Sequence, residues 1–191
     1  MLFTELPLAG AYLIELEPRG DDRGFFARSF SVEEFEAHGL QPAVRQCNLS
    51  FNHRSGTLRG MHFQVAPATE VKLVRCTRGV VYDVIVDMRS GSPTYLQHFG
   101  VELSDENRRA LYVPEMFAHG YQTLTDGAEV AYQVSASHNA GCERGLRHDD
   151  PALKIRWPLP VAVISPKDAA WPLISQAAGD AHQQQMKDMT R

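Results

Sequence analysis

The 191-residue chain is long enough for one domain with a substantial hydrophobic core and short for two domains. Hydrophobic residues make up 43% and charged residues 22%, which is ordinary for a globular protein. The formal net charge of −4 excludes a molecule drawn as a whole to nucleic acid or anionic lipid, so any anionic ligand must be held by a local cluster of Arg and Lys.

The first predicted elements are a strand and a short helix. Residues 11–17, AYLIELE, are apolar and partly alternating, which predicts a strand. The segment SVEEFEAHG, residues 31–39, predicts a helix that Ser31 caps, that Glu34 supports as a capping-box partner and that Gly39 ends.

From about residue 44 the pattern changes to segments of strand length that Gly, Pro, Asn, Ser and Asp separate, as in a sandwich or barrel. The segments are AVRQCNLSFN, GTLRGMHFQ, EVKLVRCTRG, VVYDVIVDMR, YLQHFGVELS, RRALYVPE, AHGYQTLT and AEVAYQVSAS. With a histidine after RGM and another in AHG, they predict an all-β fold, a cupin-type jelly-roll β-barrel or sandwich with a few short helices. We expect a single domain over residues 1–175 and a polar C-terminal tail over residues 176–191.

The segment VVYDVIVDM alternates cleanly between two faces. Asp83 and Asp87 share one face with Val81 and Ile85, while the residues between them form the other. Acids among apolar neighbours on one face suit a barrel whose interior holds a polar site.

His62, in GTLRGMHFQ, could be a metal ligand, because cupins often bind a metal through a His-x-His pair, a Glu and a later His. Here the position two residues on is Gln64, which would point to the same side of a strand and is a poor metal ligand. His119 could be the later ligand, but Glu70 does not match the usual spacing. Two histidines and an amide do not make a convincing zinc or iron site, so we expect no metal.

Two features bear on the compartment. Acids interrupt the apolar N-terminal run, which has no basic start, and no stretch is long enough to span a bilayer. The cysteines, Cys47, Cys76 and Cys142, are odd in number, far apart and without a CxxC motif. Together these observations predict reduced thiols in a cytoplasmic protein that is not bound to a membrane.

Without a metal, His62 remains a candidate general base, because histidine titrates near working pH. A base needs an orienting carboxylate, for which the sequence offers Asp83 and Asp168. Lys72 is of the right type to hold the charge of an enolate, and Tyr132 could return the proton from the opposite face. The residues that would suit a diphosphate are Arg23, Arg59, Lys167 and His119.

Each of these residues also has a purely structural interpretation. His62 could be a satisfied interior histidine, and Tyr132 could pack with one hydrogen bond. Lys72 could be a solvated charge on an edge strand, and Asp168 an ordinary acid at a helix N-terminus. The residue pattern alone leaves these alternatives open.

Several segments in chain order resemble the dTDP-4-dehydrorhamnose 3,5-epimerase family. They are DDRGFFARSF, RQCNLSFN, GTLRGMHFQ, KLVRCTRGVVYDVIVDMRSGSPTY, LSDENRRALYVPEMFAHGY and ISPKDAAWPL, and the similarity runs from about residue 2 to residue 175. The resemblance implies a homodimeric cupin jelly roll without metal or redox cofactor. It also implies epimerisation of the carbons that flank the 4-keto group of a nucleotide-linked 6-deoxyhexose.

Carried over by position, the resemblance implies His62 as general base with Asp168 as its partner, Lys72 as stabiliser of the enolate oxygen and Tyr132 as the acid. The positions that it places against a nucleotide-diphosphate sugar are Arg23, Phe26, Arg28, Gln46, Asn48, Arg59, His119, His138, Glu143 and Lys167.

Three positions depart from the family pattern. Arg28 stands where the family usually has Glu, and His138 stands where it usually has a Tyr that stacks on thymine. Met116 replaces a glycine in PEGFAHG, where a side chain should narrow or reshape the sugar pocket and where Gly-specific backbone angles would be strained. We therefore expect the proton chemistry to be kept and the ligand preference to differ.

Two other functions are considered. A nucleotide-sugar 3,4-ketoisomerase would use the same base but move the carbonyl, and a non-catalytic cupin would only bind a nucleotide sugar. The presence of both His62 and Tyr132 argues against a simple binding protein.

Overall fold

The computed structural model describes residues 1–175, so the predicted tail at 176–191 lies outside the described residues. The N-terminal half contains β1 (Leu2–Glu5), β2 (Tyr12–Glu15), β3 (Arg19–Asp21), β4 (Gly24–Phe26), α1 (Val32–Ala37), β5 (Gln46–Asn52), β6 (Thr57–Gln64), β7 (Lys72–Arg78) and β8 (Val80–Asp87). It is followed by β9 (His98–Ser104), β10 (Ala110–Val113), β11 (Phe117–Thr123), β12 (Ala128–Val134), β13 (Glu143–Gly145), β14 (Val163–Ile164) and α2 (Pro166–Ala169).

The strands form two sheets of a sandwich, which confirms the all-β prediction. Sheet A has the strand order β1-β2-β10-β7-β12-β5, and sheet B has the order β13-β6-β11-β8-β9, with β14 paired to β6 in parallel. Strands β3 and β4 form a separate hairpin. Apart from β1-β2 and β8-β9, neighbouring strands within a sheet are not consecutive in the chain, as in a jelly roll.

The helices are short. Ser31 caps α1 as predicted, since its side chain accepts a hydrogen bond from the Glu34 N–H, and Gly39 follows the helix with a φ of +69°. The Glu34 carboxylate does not complete the capping box but accepts hydrogen bonds from the Met1 amino group and from Arg28. Within residues 1–175, no helix is both long and apolar enough to cross a membrane.

The alternation of β8 separates two apolar clusters. Val81 and Ile85 point between the sheets into the main core, and Val84 and Val86 point to the outer face of sheet B. That outer face is covered by the segment between β13 and the end of the described chain, which includes Leu153. Burying apolar side chains on both faces of sheet B makes it a rigid support for polar groups at one end of the sandwich.

An extra residue in β6 decides which side chains of GTLRGMHFQ face inward. His119 pairs with His62, but Tyr121 pairs with Arg59, so three steps along β6 oppose two along β11. Residues three apart would face opposite sides of a regular strand, whereas this β-bulge lets Arg59 and His62 face the same cavity. Gly60 lies within the bulge with a φ of +119°, and a Cβ there would meet a neighbouring backbone atom at 2.5 Å.

Candidate active site

A cavity of about 510 Å³ opens between the two sheets at the end where β6, β7, β11 and β12 bring polar side chains together. Its lining consists of Ser50, Thr57, Leu58, Arg59, His62, Lys72, His119, Tyr121, Tyr132, Val163, Ile164, Ser165, Lys167 and Asp168. All four predicted catalytic residues are in this lining. The volume is in the range of small-molecule binding sites.

His62 and Asp168 form a close pair in the cavity wall. The His62 Nε2 lies 2.6 Å from the Asp168 Oδ1, and the Gly60 N–H donates to the other carboxylate oxygen at 3.3 Å. Burial by itself would raise the pKa of Asp168, but its hydrogen bonds with His62, Gly60 and Ser165 outweigh burial and hold that pKa below its usual range. An ionised Asp168 fixes Nε2 as the protonated nitrogen, so Nδ1 is left as the basic atom.

Asp83, the other carboxylate that the sequence offers to His62, instead pairs with His119. The His119 Nε2 lies 2.9 and 3.0 Å from the two oxygens of Asp83, which is fully buried. Burial raises the pKa of Asp83, while the neighbouring imidazole acts in the opposite direction. The cavity therefore holds two histidine–carboxylate pairs on neighbouring strands, because His62 and His119 are cross-strand partners.

Lys72 begins β7 and projects into the cavity from sheet A, where its ammonium forms an ion pair with Glu70. Gln64 does not face an open site but is 2% exposed and hydrogen-bonded to Glu70, to the Ala68 carbonyl and to the Asn139 N–H. No cluster of three or more His, Cys, Asp or Glu side chains within residues 1–175 is arranged to hold a metal ion.

Tyr132, on β12, faces the cavity from sheet A, whereas His62 faces it from sheet B. Burial raises the pKa of the Tyr132 hydroxyl, so Tyr132 keeps its proton at neutral pH and can donate it. Tyr121 also lines the cavity and donates a hydrogen bond to the Ser50 Oγ at 2.9 Å.

Basic side chains lie at the cavity rim. Arg59 is held by the Asn52 Oδ1 at 2.7 Å, and Lys167 contacts both oxygens of Glu143 at 2.6 Å. His138 is exposed and lies 3.4 Å from Glu143, so the predicted residues His138, Glu143 and Lys167 form one group beside the opening.

The remaining predicted substrate contacts lie outside this cavity. Gln46 and Asn48 bond to each other at 2.6 Å on the edge strand β5. Arg23 and Phe26 belong to the exposed β3-β4 hairpin, where Arg23 pairs with its neighbour Asp21. Arg28, which also lies outside the cavity, forms an ion pair with Glu34 of α1 at 2.9 Å.

The expectation that Met116 reshapes the sugar pocket is wrong. Met116 has the predicted strained backbone, with a φ of +60°, but its side chain packs on the outer cluster of sheet B that contains Met61 and Val86. The chain direction before β11 carries this side chain away from the cavity, which a sequence position alone does not reveal.

Two residues of the site were missed in the sequence. Glu70 does not match the spacing of a metal ligand, but it precedes Lys72 by two positions and forms an ion pair with it. Tyr121 follows His119 by two positions, so the strand period could have placed it on the same face.

A sequence profile described as dTDP-4-dehydrorhamnose 3,5-epimerase matches residues 5–176 of the chain. The chain belongs to this epimerase family. A dTDP-4-dehydrorhamnose 3,5-epimerase of Sinorhizobium fredii is 42% identical over 177 residues, covering 92% of this chain and 91% of the relative. A dTDP-4-dehydrorhamnose 3-epimerase of Streptomyces niveus is 39% identical and covers 93% of this chain and 86% of its own.

The fold of the epimerase family also matches. The crystal structure of the Legionella pneumophila enzyme in complex with dTDP-4-keto-L-rhamnose superimposes with a TM-score of 0.85 at 39% identity, covering 91% of this chain and 93% of that one. The cupin-like prediction is therefore confirmed, and the chain is a carbohydrate epimerase of the isomerase class.

Proposed function

We propose that this epimerase acts on a dTDP-linked 4-keto-6-deoxyhexose and inverts C3, C5 or both. One observation carries the proposal: the base His62 and the acid Tyr132 face the same cavity from opposite sheets. A sugar ring held between the sheets would present one face to each residue. Removing a proton on one face and returning it on the other inverts a carbon, and binding alone requires neither group.

The proposed reaction needs only groups of the cavity. The His62 Nδ1 takes the proton from the carbon beside the ketone, and the electron pair of the broken C–H bond forms an enolate. The Lys72 ammonium, which is largely withdrawn from water, donates a hydrogen bond to the enolate oxygen and stabilises the developing charge. Tyr132 then donates its proton to the opposite face of the same carbon. The His62 imidazolium releases its proton to solvent and the Tyr132 phenolate takes one from solvent, which restores both groups.

The rim residues support a nucleotide diphosphate as the anionic part of the ligand. Arg59 and Lys167 supply positive charge to a protein whose net charge is −4. The Legionella relative is described with a dTDP-sugar and a Bacillus anthracis relative with TDP, which supports the same nucleotide here. Both 3,5- and 3-epimerases occur among the relatives, so the number of inverted carbons is a separate question for experiment.

Incubation with dTDP-4-keto-6-deoxyglucose in deuterated water tests the proposal. We expect deuterium at C3 and C5, or at one of them for a mono-epimerase, together with epimeric product detected by NMR. A carbonyl that moves from C4 to C3 would instead identify a ketoisomerase. Absence of label with every dTDP-, CDP-, UDP- and GDP-linked keto sugar would refute epimerisation, and the His62→Ala variant gives the background.

We also propose that the protein works as a homodimer. Arg23 and Phe26, which the family resemblance places against substrate, lie on an exposed hairpin outside the cavity of their own chain. Exposed Leu49 and Phe51 on the edge strand β5 add apolar surface suited to contact with a second copy. The hairpin of one subunit would then complete the cavity of the other.

Mixing two inactive variants tests the dimer. We expect Arg23→Ala and His62→Ala proteins, each impaired alone, to regain activity when they are unfolded and refolded together. One mixed cavity would then combine an intact His62 with an intact Arg23 from the other subunit. Activity no greater than the sum of the separate variants, or a monomer by sedimentation, would contradict the arrangement.

The three cysteines are free thiols, which supports the proposed cytoplasmic location because a reducing compartment keeps thiols unpaired. Recovery of the protein in the cytoplasmic fraction of its cells would test this location.

A further inference from the structure

We infer that Glu70 is a positioning residue for the reaction, acting through Lys72. This inference rests on the proposed function for the role of Lys72 and adds a residue to it. Glu70 does not line the cavity, so it does not touch substrate. Its part is to hold the Lys72 ammonium at the place where the enolate oxygen forms.

The burial of Lys72 makes a fixed partner necessary. Lys72 is 8% exposed, and a buried ammonium without a counter-charge is strongly destabilising. Asp168, the carboxylate of the cavity lining, is engaged by His62, and the fully buried Asp83 is engaged by His119. Glu70, itself only 11% exposed at its side chain, is the carboxylate that pairs with Lys72 in the described structure.

Glu70 is anchored from behind by Gln64. The Gln64 Nε2 donates to the Glu70 Oε2 at 3.2 Å and lies 3.3 Å from the Ser137 carbonyl. The Gln64 Oε1 accepts a hydrogen bond from the Asn139 N–H at 2.6 Å. A chain of contacts thus runs from the segment 137–139 through the buried Gln64 and the largely buried Glu70 to the ammonium, and it holds the carboxylate and the ammonium in place.

Glu70 affects both the charge and the position of the Lys72 ammonium, and these two effects act on catalysis in opposite directions. The Glu70 carboxylate weakens the net positive field of Lys72, so its benefit to catalysis cannot be electrostatic attraction of the enolate. The benefit is that one ammonium proton is committed to Glu70, which fixes where the other two point. Preorganised hydrogen-bond donors stabilise a developing charge at a lower free-energy cost, because they need no reorientation.

A double-mutant cycle of Glu70→Gln and Lys72→Met tests the inference through activity. We expect Glu70→Gln to lower kcat by about 10- to 100-fold with KM changed by less than about threefold. In the Lys72→Met background the same substitution should change kcat by less than about twofold, because Glu70 has nothing left to position. Deuterium incorporation accumulates over long incubation, so slow variants remain measurable. Equal losses in both backgrounds, or no loss in the first, would overturn the inference.

The same cycle followed by thermal unfolding needs no substrate. Glu70→Gln should lower the unfolding midpoint by roughly 5–10 °C, because it leaves a buried ammonium without its carboxylate. In the Lys72→Met background, Glu70→Gln should leave the unfolding midpoint unchanged or raise it, because it removes a carboxylate that no longer has a counter-charge. A decrease of the same size in both backgrounds would make Glu70 an ordinary structural residue and refute the inference.

Two further variants keep the test interpretable. Glu15→Gln breaks the ion pair of Glu15 with Arg109, which is more than one-third exposed on both sides, and should shift the midpoint very little. If Glu70→Gln does not fold, Glu70→Asp keeps the charge but withdraws it by one methylene, and it should lower kcat only when Lys72 is present. If the unmodified protein exchanges no deuterium, the proposed function fails while the unfolding cycle still decides the pairing.

Discussion

Replacement of His62 by alanine is expected to lower kcat about 100-fold or more, with a smaller change in KM. In the proposed reaction the imidazole removes the proton, and Asp168, 2.6 Å from its Nε2, orients its other nitrogen toward the substrate. Lys72 and the rim cations stay in place in this variant, so binding should persist. The measurement is steady-state epimer formation together with deuterium incorporation.

Two comparisons sharpen the His62 experiment. His53→Ala removes an exposed histidine outside the cavity and should leave activity unchanged. Asp168→Asn keeps the base but removes the charge that fixes its protonated nitrogen, so kcat should also fall steeply. If His62→Ala retained activity within a few-fold of the unmodified protein, the base would have to be another group, and His119 would be the first to test.

Replacement of Tyr132 by phenylalanine is expected to separate the two halves of the reaction. The His62 base and the Lys72 ammonium remain, so the substrate should still exchange its proton for deuterium. Without the phenolic proton on the opposite face, formation of epimer should fall about 100-fold or more. Burial raises the pKa of Tyr132, so its hydroxyl is protonated at neutral pH, and the substitution removes a proton donor. Label in recovered substrate is compared with label in product.

The control for this experiment is Tyr95→Phe, which removes the hydroxyl of a tyrosine that is 41% exposed and outside the cavity. Its exchange and epimer formation should match those of the unmodified protein. If Tyr132→Phe lost exchange and epimer formation in equal proportion, Tyr132 would act before or during proton removal, and the assignment as opposite-face acid would fall.

Local patterns predicted the strands and the first helix because these elements depend on nearby residues. Ser31 and Gly39 bound α1 as expected, and the strand segments from residue 44 onward all form strands. The alternation in β8 also placed Asp83 on the inner side. Such features follow from capping and from a period of two, which neighbouring residues determine.

Partner choice across long separations was not predictable from the residues. Asp83 and Asp168 were equal candidates for His62, and only the packing of α2 against β6 brings Asp168 to it. The β-bulge at Gly60 likewise depends on β11, a partner strand nearly 60 positions away. Strand pairing in a jelly roll is set by the whole core, so these outcomes need three-dimensional information.

The hairpin residues mark a different limit. Phe26 and Arg28 come from the family resemblance alone and Arg23 also from its charge, and the described chain brings none of them to its own cavity. A sequence comparison transfers a residue to a site without saying which copy of the chain supplies it. Which copy supplies the residue depends on how the proposed dimer is arranged.

The separation of His62 and Asp168 by 106 positions has a consequence for protein synthesis. The strands that shape the cavity are all made before α2, so a growing chain can pair its sheets while its base still has no partner. Gly60 and His62 receive the Asp168 carboxylate only after almost all of the described chain has left the ribosome. Premature termination before Asp168 would therefore leave His62 without the carboxylate that orients it.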